Sequence, residues 1–535
     1  MRRARSCSSR AGGAPSSSDS PWPRRADVDR RQLAVLIGLA ALLVLLRLHT
    51  WDEPLETDIT GAAVITHEVL GGRALYADMW DHKPPALVLT HAAAQLVAGY
   101  GPGSILLLNV VAGAASLFGA YAAAAALGST AAGLWAAAFW AVISGDLWLQ
   151  GNQPNSEAFI NASVLWAVAL LAGARAGSGV GRFLAVGALF AWASLYKQVV
   201  VVPVACLAVA HAAWPPDGRA RGRAVLDLAV VAAVGAVGWA ATVGYFAAVG
   251  RLAPFWDAVF TFNRHYAEGA GSLATRLRLS FSPAQLGSPY VRSLAPLAVL
   301  TLAGIAGSAV TAWRRPWFLL LALVVATPVA VGLPGAFAPH YYQLWLPALV
   351  LGGGLAVVEL ARLARARRAW LPHTVGGAAL VLLIALELPL YLMPADDWSL
   401  IKYGPIFLEE RKLARELDAL LAPGETFYVW GSELGLYFWS RRSPVCGPCF
   451  VWPVTTGPLA LPLTERLMAD LARRPPELFV VANWTWNWIK VRHPAIAWGE
   501  AHYRPMPGGP ERGPFSLYVR RGGPLERRLA PVPGS

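Results

Sequence analysis

The 535-residue chain is 56% hydrophobic and only 14% charged, against roughly 25% charged in an ordinary soluble protein, which excludes a soluble enzyme, a disordered chain and a nucleic-acid-binding module. Its 45 Lys and Arg against 32 Asp and Glu leave a formal charge of +13, a surplus that in a membrane protein belongs first to basic cytoplasmic loops. Four cysteines, Cys7, Cys206, Cys446 and Cys449, are too few for a disulfide scaffold and lack zinc-site spacing, so no thiolate metal site is expected.

In chain order, residues 1–32 are rich in Arg, Ser and Pro and read as a disordered cytoplasmic tail. The apolar run Leu33 to Leu48 has Arg30 and Arg31 before it and Asp52, Glu53 and Glu56 after it. His49-Thr50-Trp51-Asp52 offers no small-residue cleavage site, so the run stays as an anchor with its basic side cytoplasmic. Residues 51–102 form a first outer loop, within which Ala86 to Gly99 is a juxtamembrane or re-entrant helix. Further spans are predicted at Ile105 to Leu127, Ala131 to Trp148, Ala158 to Ala174, Phe183 to Leu195, Val199 to Trp214, Ala224 to Val249, Leu294 to Trp313, Trp317 to Leu333, Tyr341 to Leu363 and Val375 to Met393. That makes about eleven, an odd count that puts the termini on opposite sides of the membrane. Arg175, Arg182, Arg219, Arg221, Arg223, Arg314, Arg315, Arg362, Arg365, Arg367 and Arg368 then all fall in cytoplasmic loops.

The expected fold is therefore an all-α polytopic membrane domain over residues 33–394, followed by a small extracytoplasmic α/β domain over 395–535. In the latter, Leu408 to Leu421 has the period of an amphipathic helix. Phe427 to Trp430, Leu478 to Val481 and Phe515 to Val519 read as strands.

Polar residues are costly inside a bilayer, and here they gather in the outer loops: Asp52, Glu53, Glu56 and Asp58, then Arg73, Asp78, Asp81, His82 and Lys83, then Asn155 and Glu157, then Lys197, Arg264, His265 and His340. One cavity holding carboxylates and cations can deprotonate a hydroxyl and take up the charge of a departing phosphate. Each residue also has a plainer reading. Asp58 would cap a helix starting at Ile59, Lys83 and Lys197 would snorkel, Asn155 and Glu157 would open a span, and His340 with Tyr341 would join an interfacial aromatic belt.

Glu56-Thr57-Asp58, a helix ending at Gly71-Gly72, Tyr76-Ala77-Asp78 and Asp81-His82-Lys83-Pro84-Pro85 together resemble the first outer loop of GT-C membrane glycosyltransferases. The branch is the bacterial protein-mannosyltransferase-like group, which includes the lipid A aminoarabinose and galacturonic acid transferases. Asn155-Ser156-Glu157-Ala158-Phe159, Tyr196-Lys197-Gln198, Pro339-His340-Tyr341-Tyr342 and Val429-Trp430-Gly431-Ser432 extend the likeness over most of the chain. The resemblance implies a polyprenyl-phosphate sugar donor, inversion at the anomeric carbon and a base at Asp58, which lies fourteen positions before Gly72. Many relatives have Asp-Glu where this chain has Asp58-Ile59, so the second acid falls to Glu56 or Asp78. Lys83 resembles the lysine on the carrier phosphate. By the same likeness, Lys197, His340, His82 and Tyr341 join it in binding substrate, and Glu157 or Asp78 favours an oxocarbenium-like transition state.

The implied acceptor is an envelope glycolipid, polysaccharide or protein at a bacterial plasma membrane, with no nucleic acid involved. No cofactor is predicted, although the paired acids would accommodate a divalent cation. A polytopic transporter or flippase is the alternative, but it would place its polar groups near mid-bilayer and often show repeated halves. Cys446-Gly447-Pro448-Cys449 carries the letters of the thioredoxin site, yet Pro453 opposes a long following helix, and a local disulfide is the preferred reading. Trp484, Trp486 and Trp488, in part of the sequon Asn483-Trp484-Thr485 and beyond it, are candidates for the floor of a sugar site.

Overall fold

A computed structural model describes residues 29–311, 315–364 and 370–530. The predicted tail up to residue 28 and the loop residues Arg314, Arg365, Arg367 and Arg368 lie outside them. Each of the eleven predicted spans is helical over most of its length. Among the described residues, seven helices are long and apolar enough to cross a bilayer unaided, from Arg30–His49 to His373–Tyr391. The first of these leaves Leu33, Val35 and Ile37 about half exposed, as a helix facing lipid does. This is the architecture of a multi-pass membrane protein.

Four helices of the bundle are short: Thr130–Ile143, Ser156–Ala172, Val180–Ser194 and Val201–Ala213. Thirteen helical residues reach only about 20 Å, short of the roughly 30 Å hydrocarbon core. The missing depth is filled by buried polar loops. The predicted span Ala131 to Trp148 stops at Ile143, and the chain continues as an irregular segment in which Asp146, Gln150, Asn152, Gln153 and Asn155 are all buried. The span predicted from Tyr341 likewise opens as the 3₁₀ turn Pro339–Trp345 before its α-helix begins at Leu346. Non-helical backbone at this depth is tolerated only inside protein or against a water-filled cavity, and the segment after Ile143 meets that condition by being buried in protein.

Small residues let the helices approach closely. Pro102–Leu127 lays Gly113, Ser116, Gly119 and Ala120 toward its neighbours, and a Cβ on Gly119 would sit 3.0 Å from that of Leu165. Gly354 is held tighter still, with its missing Cβ 2.5 Å from the Ala132 carbonyl oxygen.

The C-terminal region is the expected α/β unit. Its strands are β1 (Phe427–Trp430), β2 (Leu478–Ala482), β3 (Tyr503–Pro505), β4 (Glu511–Arg512) and β5 (Phe515–Arg520). They order as β1-β2-β5-β3 with β4 also on β5. β1 and β2 run parallel with Phe427 opposite Leu478, and the other pairings are antiparallel. Every residue of β1 and β2 is buried, as in a strand covered on both faces. The amphipathic helix is Ile406–Leu420, burying Leu413 and Leu417. β3 and β4 went unpredicted because they are short and carry Arg504, Pro505, Glu511 and Arg512 rather than an apolar run.

The helix Thr57–Leu70 is held between the bundle and the C-terminal region: Gln95 Nε2 donates to the Ala63 carbonyl at 2.8 Å and Ala62 belongs to the bundle core. Ile59, Ala63 and Val64 share one hydrophobic core with Leu413, Phe427 and Leu436, and Gly61 is so close to Leu434 that a Cβ would lie 2.9 Å from it. The Cys446-Cys449 turn is buried in the same core and is not the start of a helix. Both thiols are free, which corrects the disulfide expectation: Cys449 Sγ donates to the Gly447 carbonyl at 3.2 Å, and burial pushes its thiol up to about 12. The turn instead docks the first loop, since Gly447 O accepts from Trp80 N at 3.2 Å.

Candidate active site

Three polar loops meet at the end of the bundle beneath the C-terminal region. The helix carrying Asp58 begins at Thr57, not Ile59, and no side chain caps it. Asp58 therefore lies inside the first turn, and its carboxylate is spent on a cation rather than on the cap: Lys83 Nζ donates to Asp58 Oδ1 at 2.8 Å. Pro84 and Pro85 follow Lys83 and lead directly into Ala86–Ala98. The Lys83 backbone is fixed from the other side by Tyr76, whose hydroxyl donates to the Lys83 carbonyl at 2.8 Å. Tyr76 adopts a φ of 66° to do so, a conformation rare outside glycine.

On the other oxygen of Asp58, His340 Nε2 stands 4.0 Å from Oδ2, and His340 Nδ1 is 3.1 Å from Gln150 Oε1. A second ion pair joins Lys197 Nζ to Glu157 Oε1 at 2.5 Å. The same ammonium sits 4.2 Å over the Tyr341 ring, and the fully buried Glu157 leaves Oε2 without a partner. Glu56 accepts from Asn155 Nδ2 at 2.8 Å. His82 Nδ1 is 3.4 Å from Asp81 Oδ1.

A cavity of about 240 Å³ is lined on the bundle side by Asp58, Asp81, His82, Lys83, Lys197, Tyr266 and Tyr341 and on the C-terminal side by Ser432, Leu434, Phe450 and Trp452, while the buried His340 and Glu157 stand behind Asp58 and Lys197. The structure thus brings together Asp58, Lys83, His82, Lys197, Glu157, His340 and Tyr341. It leaves out Asp78, a correction to the expected second acid: the Asp78 carboxylate accepts from the Ala74 backbone N–H at 2.7 Å on the exposed side of its own turn. Arg264 is also outside, pairing with Glu268 at 81% exposure.

The electrostatics separate the acids. Burial would raise the Asp58 carboxyl, but the Lys83 charge and hydrogen bond, together with the His340 and Lys197 charges, outweigh it and hold Asp58 well below the usual range. Burial would lower the Lys83 ammonium, and Asp58 and Asp81 hold it protonated instead. Burial, and then the Asp58 charge, push Glu56 up to about 8. Burial takes His82 down to about 4, so it is neutral near pH 7. Two carboxyls with affinities driven apart are the pattern of an acid and base pair. Glu56, Asp58 and His340 also place one ligand atom each within 4.8 Å of one another, a donor set suited to a divalent cation.

Sequence reasoning passed over Gln150, Asn152, Gln153, Tyr266 and Trp452. The first three had a signal, a polar run between two apolar segments. The last two had none, because single aromatics in a Trp-rich chain do not stand out.

No protein-family model matches the chain, and no curated protein matches it. Among solved structures it is similar to ArnT from Cupriavidus metallidurans in the apo state, with a TM-score of 0.62 over 94% of this chain and 99% of that one at 15% identity. ArnT bound to undecaprenyl phosphate superposes with a TM-score of 0.61 over 94% and 100% at 15% identity. The chain has the GT-C fold. The archaeal oligosaccharyltransferase AglB from Archaeoglobus fulgidus, in complex with an inhibitory peptide and a dolichol-phosphate, matches with a TM-score of 0.54 over 94% and 76% at 14% identity. The fold expected from the first-loop residues is thus the fold observed, and in this chain the polar cavity lies between the bundle and the C-terminal region.

Proposed function

We propose that the chain is an inverting membrane glycosyltransferase that moves a sugar from a polyprenyl-phosphate donor to a hydroxyl of an envelope acceptor. The observation that carries it is the Asp58–Lys83 pair facing a cavity at the junction of an apolar bundle and a water-exposed α/β region. That junction lets a lipid carrier and a polar acceptor reach one point from opposite phases. The undecaprenyl phosphate and dolichol-phosphate bound to ArnT and AglB support a lipid-phosphate donor. The basic loops at Arg175, Arg182, Arg219, Arg221 and Arg223 support a cytoplasmic N-terminus at a plasma membrane, with the cavity and the C-terminal domain outside.

In the resting site Asp58 is ionised but committed to Lys83. The donor phosphate is a stronger partner for an ammonium than one carboxylate is, and drawing Lys83 onto the phosphate frees Asp58 and raises its proton affinity. Asp58 then takes the acceptor hydroxyl proton as that oxygen bonds to C1 from the face opposite the phosphate. The C1–O bond breaks, and its electron pair leaves on the phosphate against Lys83, with Lys197 near enough to share the charge. Glu157 contributes negative charge toward the oxocarbenium-like centre through its free Oε2. Glu56, kept protonated by its surroundings, adds no second negative charge beside the base. If a divalent cation is bound, Glu56, Asp58 and His340 would hold it, and it would supply further charge neutralisation at the phosphate.

The test is sugar transfer by membranes bearing wild type or Asp58→Asn, supplied with a panel of polyprenyl-phosphate sugars and extracted envelope glycolipids. Transfer by the wild type that Asp58→Asn abolishes at equal expression supports both the class and the base. Unchanged transfer in Asp58→Asn sinks Asp58 as the base.

A further inference from the structure

Three exposed indoles stand in the C-terminal region, one of them hydrogen-bonded to the residue between Ser432 and Leu434 of the cavity wall. Trp484 and Trp486 lie on the 3₁₀ turn Asn483–Asn487 after β2 and Trp488 directly follows it; they are 40%, 38% and 39% exposed, whereas Thr485 between the first two and Ile489 after the third are buried. These rings are held in place. Trp484 Nε1 donates to Glu433 Oε1 at 2.5 Å, and Glu433, itself 1% exposed, takes the Ser432 backbone N–H on its other oxygen at 2.8 Å. Trp486 lies 6.3 Å from the buried Trp430 ring, and Trp488 lies 5.9 Å from Trp484. The anchor connects the indoles to the reaction cavity, because Ser432 and Leu434 on either side of Glu433 both line it.

We infer that Trp484, Trp486 and Trp488 form a binding shelf for the pyranose rings of a carbohydrate acceptor, with Glu433 fixing the shelf to the cavity wall. This rests on the transferase reading above and narrows its acceptor to a glycan. The apolar face of a sugar ring covers an indole while its hydroxyls stay in water, which suits rings that are half-exposed and rigid. A lipid tail has no need of polar neighbours such as Asn487 and Lys490, which are exposed on the same turn. A saccharide lying across the indoles would enter the cavity past Ser432 and Leu434 and present its terminal hydroxyl to Asp58. The other occupant that such a cluster suits is the membrane interface, and the experiment separates the two.

Full-length protein in lipid nanodiscs is mixed with delipidated, size-fractionated envelope saccharide, and saturation-transfer NMR reads magnetisation passing from irradiated aromatic protons to the sugar ring protons. Wild type is expected to show transfer, Trp488→Ala to weaken binding about tenfold, and Trp488→Phe to retain most of it. Undecaprenyl-phosphate binding stays unchanged in each variant. Absence of saccharide binding by the wild type, or equal binding by Trp488→Ala, overturns the shelf. So does greater fluorescence quenching by brominated lipid in the wild type than in Trp488→Phe, which would place the indoles in the bilayer interface. Failure of the transferase reading has a different signature: saccharide binds while no donor sugar is transferred.

Discussion

Two lysine–carboxylate pairs flank the same stretch of the first outer loop, and they differ in one respect. Lys402 Nζ meets Glu53 Oε1 at 2.6 Å with the two side chains 1% and 0% exposed, and Asn152 Oδ1 accepts from the same ammonium at 3.1 Å. Lys83 meets Asp58 at 2.8 Å, but Asp58 is 37% exposed into the cavity. The first pair is sealed and closed by further hydrogen bonds, so it ties the C-terminal helix Ala395–Tyr403 to the loop and to the segment at Asn152. The second keeps one face open and its partners exchangeable. Identical chemistry is thus a fastener where it is sealed, and under the proposed mechanism it becomes a reactive pair where a ligand can compete for the cation.

The comparison is broken most sharply at the open pair. Asp58→Asn is expected to lower transfer by about 10²–10⁴-fold, the usual contribution of a positioned general base, with the unfolding temperature nearly unchanged. At the sealed pair the effect appears in stability: Lys402→Met strands Glu53 in a dry site and is expected to cost about 3–5 kcal/mol, read by denaturant or thermal unfolding in detergent. Equal stability of Lys402→Met and wild type would contradict the fastener role.

Glu56 gives a subtler handle through pH. Its folded value near 8 stands above the ordinary 4.5 of a glutamate, so its contribution to stability is fully present below about 4.5 and is lost as pH rises through 8. Unfolding measured across that window is expected to show a decline that Glu56→Gln flattens. The smallest effect belongs to Asp78→Asn, which touches only an exposed turn, where substitutions stay within about 0.5 kcal/mol. Transfer by this variant should match wild type to within about twofold, and a large loss would return Asp78 to the site.

Much of this was readable from residues alone. The block Asp81-His82-Lys83-Pro84-Pro85 pointed to the cavity because two prolines after a lysine at a membrane edge restrict the backbone locally. Asp78 misled because it is near Asp81 in sequence, but the turn leading into it, with Tyr76 at positive φ, folds its carboxylate back onto Ala74 N–H on the exposed side. The buried loop after Ile143 was read as the tail of a span because Leu147, Trp148 and Leu149 are apolar, and hydropathy does not register that Ser144, Gly145 and Asp146 interrupt the helix.

By itself the sequence determined the membrane class, the order of helical segments, the mixed α/β C-terminal region and the residue types available for chemistry. Those follow from composition, apolar run length and period, which are local properties of the chain. Only the tertiary structure decided that the Asp58 helix shares its core with Leu413 and Phe427, that His340, held by Gln150, stands beside Asp58, and that Glu56 rather than Asp78 is its neighbouring acid. Those relations join segments far apart in the chain, and they depend on which packed surfaces complement one another once the short helices leave room for the polar loops between them.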